Sequence, residues 1–362
     1  MGLRPYQKAA CDAIDKEWEE GHRKTLLVLP TGCGKTICFA ETIKRQNARN
    51  RRCLVLAHRQ ELLDQAADKI RKTTGLESAL EKADSHSAKS TLPVTVGSVQ
   101  TLCRDNRLQE YAPDHFGTIV VDEAHHALSD SYKKILEYFD ANILGVTATP
   151  DRGDMKNLGE FFESLAYEYT LPQAIREGYL SPIKAQTIPL DIDLSGVRTQ
   201  QGDFASGDLG SALEPYLEQI ADVIAKKYSD RKTVAFLPLI ETSQHFASIL
   251  KEKGVPVWEV NGNSSDREEI LQEFENAKNG VICNSMLLTE GWDCPSVDCV
   301  VVLRPTKIRS LYCQMIGRGT RLFEGKEYLL ILDFLWHTTR HELCRPTCLI
   351  CKKKEVAEVI EK

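Results

Sequence analysis

The chain has 362 residues, 42% of them hydrophobic and 27% charged, with a formal net charge of −6. This is ordinary globular composition at a length that suits two domains, and the acidic balance argues against a simple basic nucleic-acid coat while leaving room for a local basic groove. No run of 18 apolar residues marks a membrane span, and the start, MGLRPYQKAACDAI, has neither a secretory pattern nor a myristoylation signal, so a cytoplasmic protein is expected, with its twelve cysteines as reduced, mostly buried thiols.

Short β-branched runs bounded by turn residues recur along the chain. In the first half they fall at 25–29 (TLLVL), 52–57 (RCLVLA), 94–96 (VTV), 118–122 (TIVVD) and 143–147 (ILGVT), with a helical pattern at 60–72 (QELLDQAADKIRK). Residues 171–230, with several Gly, Ser and Asp, read as a connector with some structure of its own. The second half places strands at 233–237, 257–260, 280–283, 299–303 and 328–333, and a helix at 266–277 (DREEILQEFENA). The runs are continuously apolar rather than alternating, which predicts strands buried on both faces of parallel sheets. Strands and helices alternate through both halves, so the fold class is α/β, with two parallel-sheet domains. The expected boundaries are 1–170, a connector at 171–230, 231–335, and a tail at 336–362 whose apolar part docks on a domain and whose end (KKKEVAEVIEK) is an exposed helix.

TLLVLPTGCGKTICFAETI is a strand, a glycine-containing turn and a helix. Gly32 and Gly34 let the backbone curl so that N–H groups point at phosphates, and the following helix adds its positive end. Lys35 is placed to reach the β- and γ-phosphates and Thr36 to hold Mg²⁺. Leu29 stands where the strict phosphate-loop pattern has glycine. TIVVDEAHH ends an apolar strand in two adjacent carboxylates, which repel unless a cation or a task needs them. Asp122 suits Mg²⁺, and Glu123 suits orienting and deprotonating a water. His125 and His126 lack a second ligand cluster at zinc spacing, so a coupling or structural role for His125 is the better reading.

Taken in order, TGCGKT, DEAH at 122–125, TAT at 147–149 and QMIGRGTR at 314–321 resemble the motifs of superfamily 2 helicases and translocases. The closest likeness is to the DEAH-type branch of restriction-enzyme motor subunits and related repair helicases, and it runs from Arg4 to Arg321. The resemblance implies two tandem RecA-like domains with an ATP cleft between them, gripping nucleic acid, with ATP and Mg²⁺ as cofactors. By the same resemblance, Arg4 and Gln7 read the adenine edge; Gly32, Cys33, Gly34, Lys35 and Thr36 cradle the phosphates; Gly291, Asp293 and Gln314 lie at the nucleotide; and Arg318 and Arg321 join Lys35, Asp122 and Glu123 in hydrolysis. His58, Arg59, Ser98, Thr101 and Thr289 are implied contacts to nucleic acid, on strand-end loops where ligands of parallel sheets bind. His125, Thr147 and Thr149 are implied to couple the two ligands. If helical, Gln314, Arg318 and Arg321 share one face. QMIGRGTR lacks a basic residue directly after Gln314, a departure that removes no catalytic group.

The implied function is an ATP-dependent motor on nucleic acid, DNA favoured over RNA, with a protein partner expected to select the site. An ATP-gated clamp that never unwinds, or a small-molecule ATPase, would use the same phosphate loop. In the tail, Cys344, Cys348 and Cys351, with His341, offer half a zinc signal without its second pair, and Leu349 and Ile350 between the thiols suit packing instead.

Overall fold

A computed structural model of the chain describes residues 2–57, 60–148, 158–200, 202–289, 291–337, 344 and 346–349. They form two compact units, Met1–Thr170 and Leu171–Lys362.

The first unit is a seven-stranded sheet of β1 (Lys24–Val28), β2 (Cys53–Ala57), β3 (Ser78–Glu81), β4 (Val94–Ser98), β5 (Thr118–Asp122), β6 (Asn142–Thr147) and β7 (Ser164–Glu168). Its order is β3-β4-β2-β5-β6-β1-β7, and every pairing is parallel. The helices are α1 (Pro5–Glu19), α2 (Lys35–Ala48), α3 (Gln60–Thr74), α4 (Val99–Leu102), α5 (Asp105–Leu108) and α6 (Asp130–Tyr138). Leu26, Leu54, Leu56, Ile119 and Val121 pack into one core with α6, while Leu27, Val55 and Val120 are buried on the other face. Burial on both faces is why these strands are legible as unbroken apolar runs.

The second unit is a six-stranded sheet of β8 (Ile183–Asp193), β11 (Lys232–Phe236), β12 (Val257–Glu259), β13 (Gly280–Asn284), β14 (Cys299–Val302) and β15 (Leu329–His337). The order is β12-β13-β11-β14-β15-β8, again parallel throughout. A short antiparallel pair, β9 (Thr199–Gln200) with β10 (Asp203–Phe204), stands beside it. Its helices are α7 (Leu171–Arg176), α8 (Ser206–Leu213), α9 (Leu217–Lys227), α10 (Ile240–Glu252), α11 (Arg267–Asn276) and α12 (Arg309–Gly317). Successive residues of β11 turn to opposite cores, Val234 and Phe236 to one and Ala235 to the other.

The stretch 171–230 is not a connector: it is built into the second unit. β8 pairs along β15, and Leu217, Ile220, Ala221 and Ile224 of α9 share a core with β11 and β14. Asp203 accepts hydrogen bonds from the Thr306 hydroxyl at 2.8 Å and the Lys307 N–H at 2.9 Å, tying β10 to the loop after β14. β8 was hidden in the sequence because it edges the sheet. Most of its side chains are half-exposed or exposed, and Pro189 and its aspartates mimic a loop. Residues 344 and 346–349 do pack against the second unit, with Cys344, Cys348 and Leu349 buried in the core that holds Tyr312. His341, Cys351 and the lysine-rich end lie outside the described residues.

The edge strand β3 is secured by a buried ion pair. Arg107 Nε donates to Glu81 Oε1 at 2.8 Å, and the same carboxylate accepts from the Ser87 N–H at 2.6 Å and the Tyr111 hydroxyl at 2.6 Å. Removing only the cation leaves a fully buried carboxylate without its counter-charge. Arg107→Met is expected to cost about 3 kcal/mol and to lower the melting temperature of the first unit by roughly 6–12 °C, read by thermal unfolding.

Candidate nucleotide site

The register of the first sheet brings the expected chemistry to one edge. Val28 pairs with Thr147, and Val146 with Asp122, so the carboxyl ends of β1, β6 and β5 adjoin. The phosphate loop leaves β1 and is closed by a hydrogen bond from the Leu29 N–H to the Thr147 carbonyl, 3.0 Å. Gly32 has φ 90° and Gly34 φ 77°, and Gly34 caps α2 in the left-handed conformation. A β-carbon at Gly34 would come within 2.6 Å of Gln7 Nε2, so the turn admits only glycine on both counts.

That contact shows what Gln7 does. Its Nε2 donates to the Cys33 carbonyl at 3.1 Å, and its Oε1 accepts from the Arg4 N–H at 3.0 Å. The Tyr6 hydroxyl donates to the same Cys33 carbonyl at 2.9 Å, and its ring stacks on Tyr169 with centroids 4.4 Å apart. Gln7 is 3% exposed. In this structure its amide braces the phosphate loop, where the sequence suggested a reader of adenine. Tyr6 was missed because a lone tyrosine carries no phosphate-loop signal of its own.

Lys35 begins α2 and faces the acidic pair, with its Nζ 3.9 Å from Glu123 Oε1. Glu123 adopts a left-handed backbone, φ 53°, one of two non-glycine residues to do so among those described. Such a conformation costs on the order of 1–3 kcal/mol and is held only where the surroundings dictate it. Here the Glu123 N–H donates to Asp122 Oδ1 at 3.0 Å, and a 3₁₀ turn over Ala124–Leu128 follows at once. Burial, and then the neighbouring Glu123 carboxylate, push the Asp122 pKa up to about 6, against the pull of Lys35. Burial of the carboxylate beside a like charge marks a position suited to a cation. His125 Nδ1 lies 3.8 Å from Glu123 Oε2, beside the acidic pair. Thr147 is buried at the end of β6, and Thr149 lies outside the described residues.

Farther along the same edge, β2 and β4 end together at Ala57 and Ser98. His58 and Arg59, which follow β2, lie outside the described residues. Ser98 donates to Gln100 Oε1 at 2.8 Å, and Thr101 is 5% exposed, so the exposed side chain of this turn is Gln100 rather than Thr101.

In the second unit α12 ends at Gly317, so Arg318 caps the helix and Arg321 lies beyond it. The expected single helical face of Gln314, Arg318 and Arg321 therefore does not extend to Arg321. Gly319 is a close-approach position, since a β-carbon there would sit 2.3 Å from Leu329 Cδ1. Gln314 is buried in the helix. Arg318 donates to the carbonyls of Thr289, at 2.6 Å, and Trp292. Thr289 itself points inward, 2% exposed, with its hydroxyl on the Met286 carbonyl; it holds Arg318 instead of presenting a hydroxyl to nucleic acid. Arg321 Nε pairs with Asp293 Oδ1 at 2.7 Å, so the carboxylate expected at the nucleotide is engaged with an arginine here. Gly291, φ 72°, provides the turn between Thr289 and Asp293.

Residues 1–152 match the family described as type III restriction enzyme, res subunit, and residues 215–322 match the helicase conserved C-terminal domain. The chain belongs to the superfamily 2 helicases and translocases, DEAH type. This superfamily 2 chain is 32% identical to the Saccharomyces cerevisiae protein provisionally named ATP-dependent helicase IRC3, over 98% of the chain and 54% of that relative. It thus spans about half the length of the yeast protein. It is 24% identical to DNA 3'-5' translocase XPB2 of Sulfurisphaera tokodaii, over 95% of the chain and 84% of the relative. A solved fragment from Vibrio vulnificus YJ016, provisionally assigned as the HsdR subunit of a type I restriction enzyme, has the same fold, with a TM-score of 0.74 at 23% identity over 91% of this chain and 64% of that one. Both units are therefore RecA-like.

The bracing role of Gln7 has a direct consequence. Gln7→Leu removes a hydrogen bond to the loop and not a contact that only a base could make. Affinities for ADP and for inorganic tripolyphosphate, which has no base, are expected to fall alike by about tenfold, the scale of one hydrogen bond. A loss confined to ADP, measured by calorimetry, would restore the adenine reading.

Proposed function

We propose that the chain is the ATPase core of a nucleic-acid motor, a DNA helicase or duplex translocase. The observation that carries this reading is the meeting of Lys35 with the Asp122–Glu123 pair at adjoining strand ends of one parallel sheet.

The triphosphate of ATP binds on the N–H groups of the Gly32–Thr36 turn, with Lys35 neutralising the β- and γ-phosphates. The hydroxyl of Thr36 and the carboxylate of Asp122 fit an oxygen-ligand cation, and Mg²⁺ held there neutralises charge on the phosphates. Glu123, fixed by its left-handed backbone, orients the attacking water and accepts its proton. Arg318 and Arg321 stabilise the charge that gathers on the γ-phosphate as the bond to the β-phosphate breaks, a contribution of about 10³–10⁵ in rate for arginines in this role. DNA is favoured over RNA because the first-unit family is that of a restriction-enzyme subunit and a relative is named as a DNA translocase. A protein partner selects where the motor acts.

ATP turnover is measured without nucleic acid and with single-stranded DNA, duplex DNA and RNA, for the native chain and Lys35→Ala. Stimulation by DNA and near-complete loss in the variant are expected, and a rate indifferent to every polymer contradicts the motor reading. Arg321→Ala is expected to bind a non-hydrolysable ATP analogue within about threefold of the native chain and to lose about 10³ in turnover.

A further inference from the structure

Lys326, in the second unit, is a part-buried ammonium that the proposed chemistry does not use. Lys326 follows the turn at Gly325, and its Nζ donates to three main-chain carbonyls: Gly319 at 2.5 Å, Arg321 at 2.8 Å and Pro295 at 3.3 Å. An ammonium has three donors and no acceptor, so this arrangement uses all of them on backbone oxygens. The three acceptors belong to two segments. Gly319 and Arg321 belong to the QMIGRGTR stretch, Arg321 being its second arginine, and Pro295 lies two residues beyond Asp293. Asp293 is the residue that pairs with Arg321.

We propose that Lys326 is a positioning residue for Arg321, fixing the segment that carries the arginine and the segment that carries its Asp293 partner in one register. The surrounding bonds support the assignment. Ser181 donates its N–H to the Thr320 carbonyl and its hydroxyl to the Arg321 carbonyl, each at 2.8 Å. Carbonyls 319, 320 and 321 are therefore all held, two of them by Lys326. Arg321 begins where α12 has already ended, so no helical hydrogen bonds fix its backbone. A guanidinium that must meet developing charge within a fraction of an ångström needs such external support, since small misplacements at a reacting centre cost about 10²-fold. Lys326 has no acidic side chain among these three partners. Its charge serves the backbone.

This inference rests on the motor reading, and the test separates the two. Steady-state ATP turnover at saturating DNA is measured for the full-length native chain, Lys326→Met, Lys326→Arg, Arg321→Ala and the Lys326→Met/Arg321→Ala double variant, with melting temperatures alongside. Lys326→Met, similar in length and without donors, is expected to lower kcat about 10²-fold while KM for ATP stays within about threefold. Lys326→Arg, which keeps the donors, is expected to recover most of that loss. The double variant is expected to be no worse than Arg321→Ala, because the lysine acts through the arginine. Native-like turnover in Lys326→Met overturns the proposal. So does a loss that multiplies with Arg321→Ala, or one that follows KM and melting temperature and is not rescued by arginine, since those are the marks of general structural support. If the native chain shows no DNA-stimulated turnover, the motor reading falls and this inference with it. Stimulated turnover that Arg321→Ala impairs and Lys326→Met does not removes this inference alone.

Discussion

Parallel pairing in a sheet covered on both faces sends every strand-to-helix loop out at the same edge, and the chemistry of the first unit depends on that geometry. Val28, Thr147 and Asp122 end neighbouring strands in register, so a loop built for phosphate and a pair built of carboxylates are brought side by side without any long-range coincidence. Ala57 and Ser98 end the next two strands on the same edge. One sheet thereby offers two adjoining stretches of loop, one charged for a triphosphate and one bearing a serine and an exposed glutamine. Under the proposed function, this arrangement would let one sheet meet both a nucleotide and a polymer.

Electrostatics then sets the details. Lys35 lies within 4 Å of a carboxylate whose neighbour is half-buried and pushed toward protonation. Such a cluster is unfavourable by itself and becomes favourable when a cation and a polyanion complete it. In the second unit the arginines are likewise engaged, Arg318 with the Thr289 and Trp292 carbonyls and Arg321 with Asp293. To act on a phosphate, Arg321 must exchange one anion for another. The Asp293 pair is half-exposed and weak enough to be exchanged, while the backbone that carries the arginine is held by Lys326 and Ser181.

Much of this was legible in the sequence, for identifiable reasons. Most strands showed as apolar runs because the core requires them to be apolar on both sides, the half-buried edge strand β12 being an exception, and Lys35, Asp122 and Glu123 stand in patterns that few structures other than a phosphate site produce. The edge strands β3, β7 and β8 were not legible: an edge strand needs fewer apolar residues, and SALE reads equally well as helix. Side-chain direction was also hidden. Gln7 and Thr289 are where the family pattern puts them, yet each is turned onto a backbone carbonyl. Lys326 carried no signal at all, because its partners are main-chain oxygens that any residues could supply.

The proposed function requires the nucleotide and the nucleic acid to be energetically linked through one fold. Linkage is reciprocal: whatever factor an ATP analogue adds to DNA affinity, DNA must add to analogue affinity. The direct measurement is the Kd of the native chain for a single-stranded DNA with and without a saturating non-hydrolysable ATP analogue, paired with the Kd of the analogue with and without DNA. A change of about tenfold or more, equal in the two directions, is the result this account predicts. Affinities that are the same in all four conditions would contradict it.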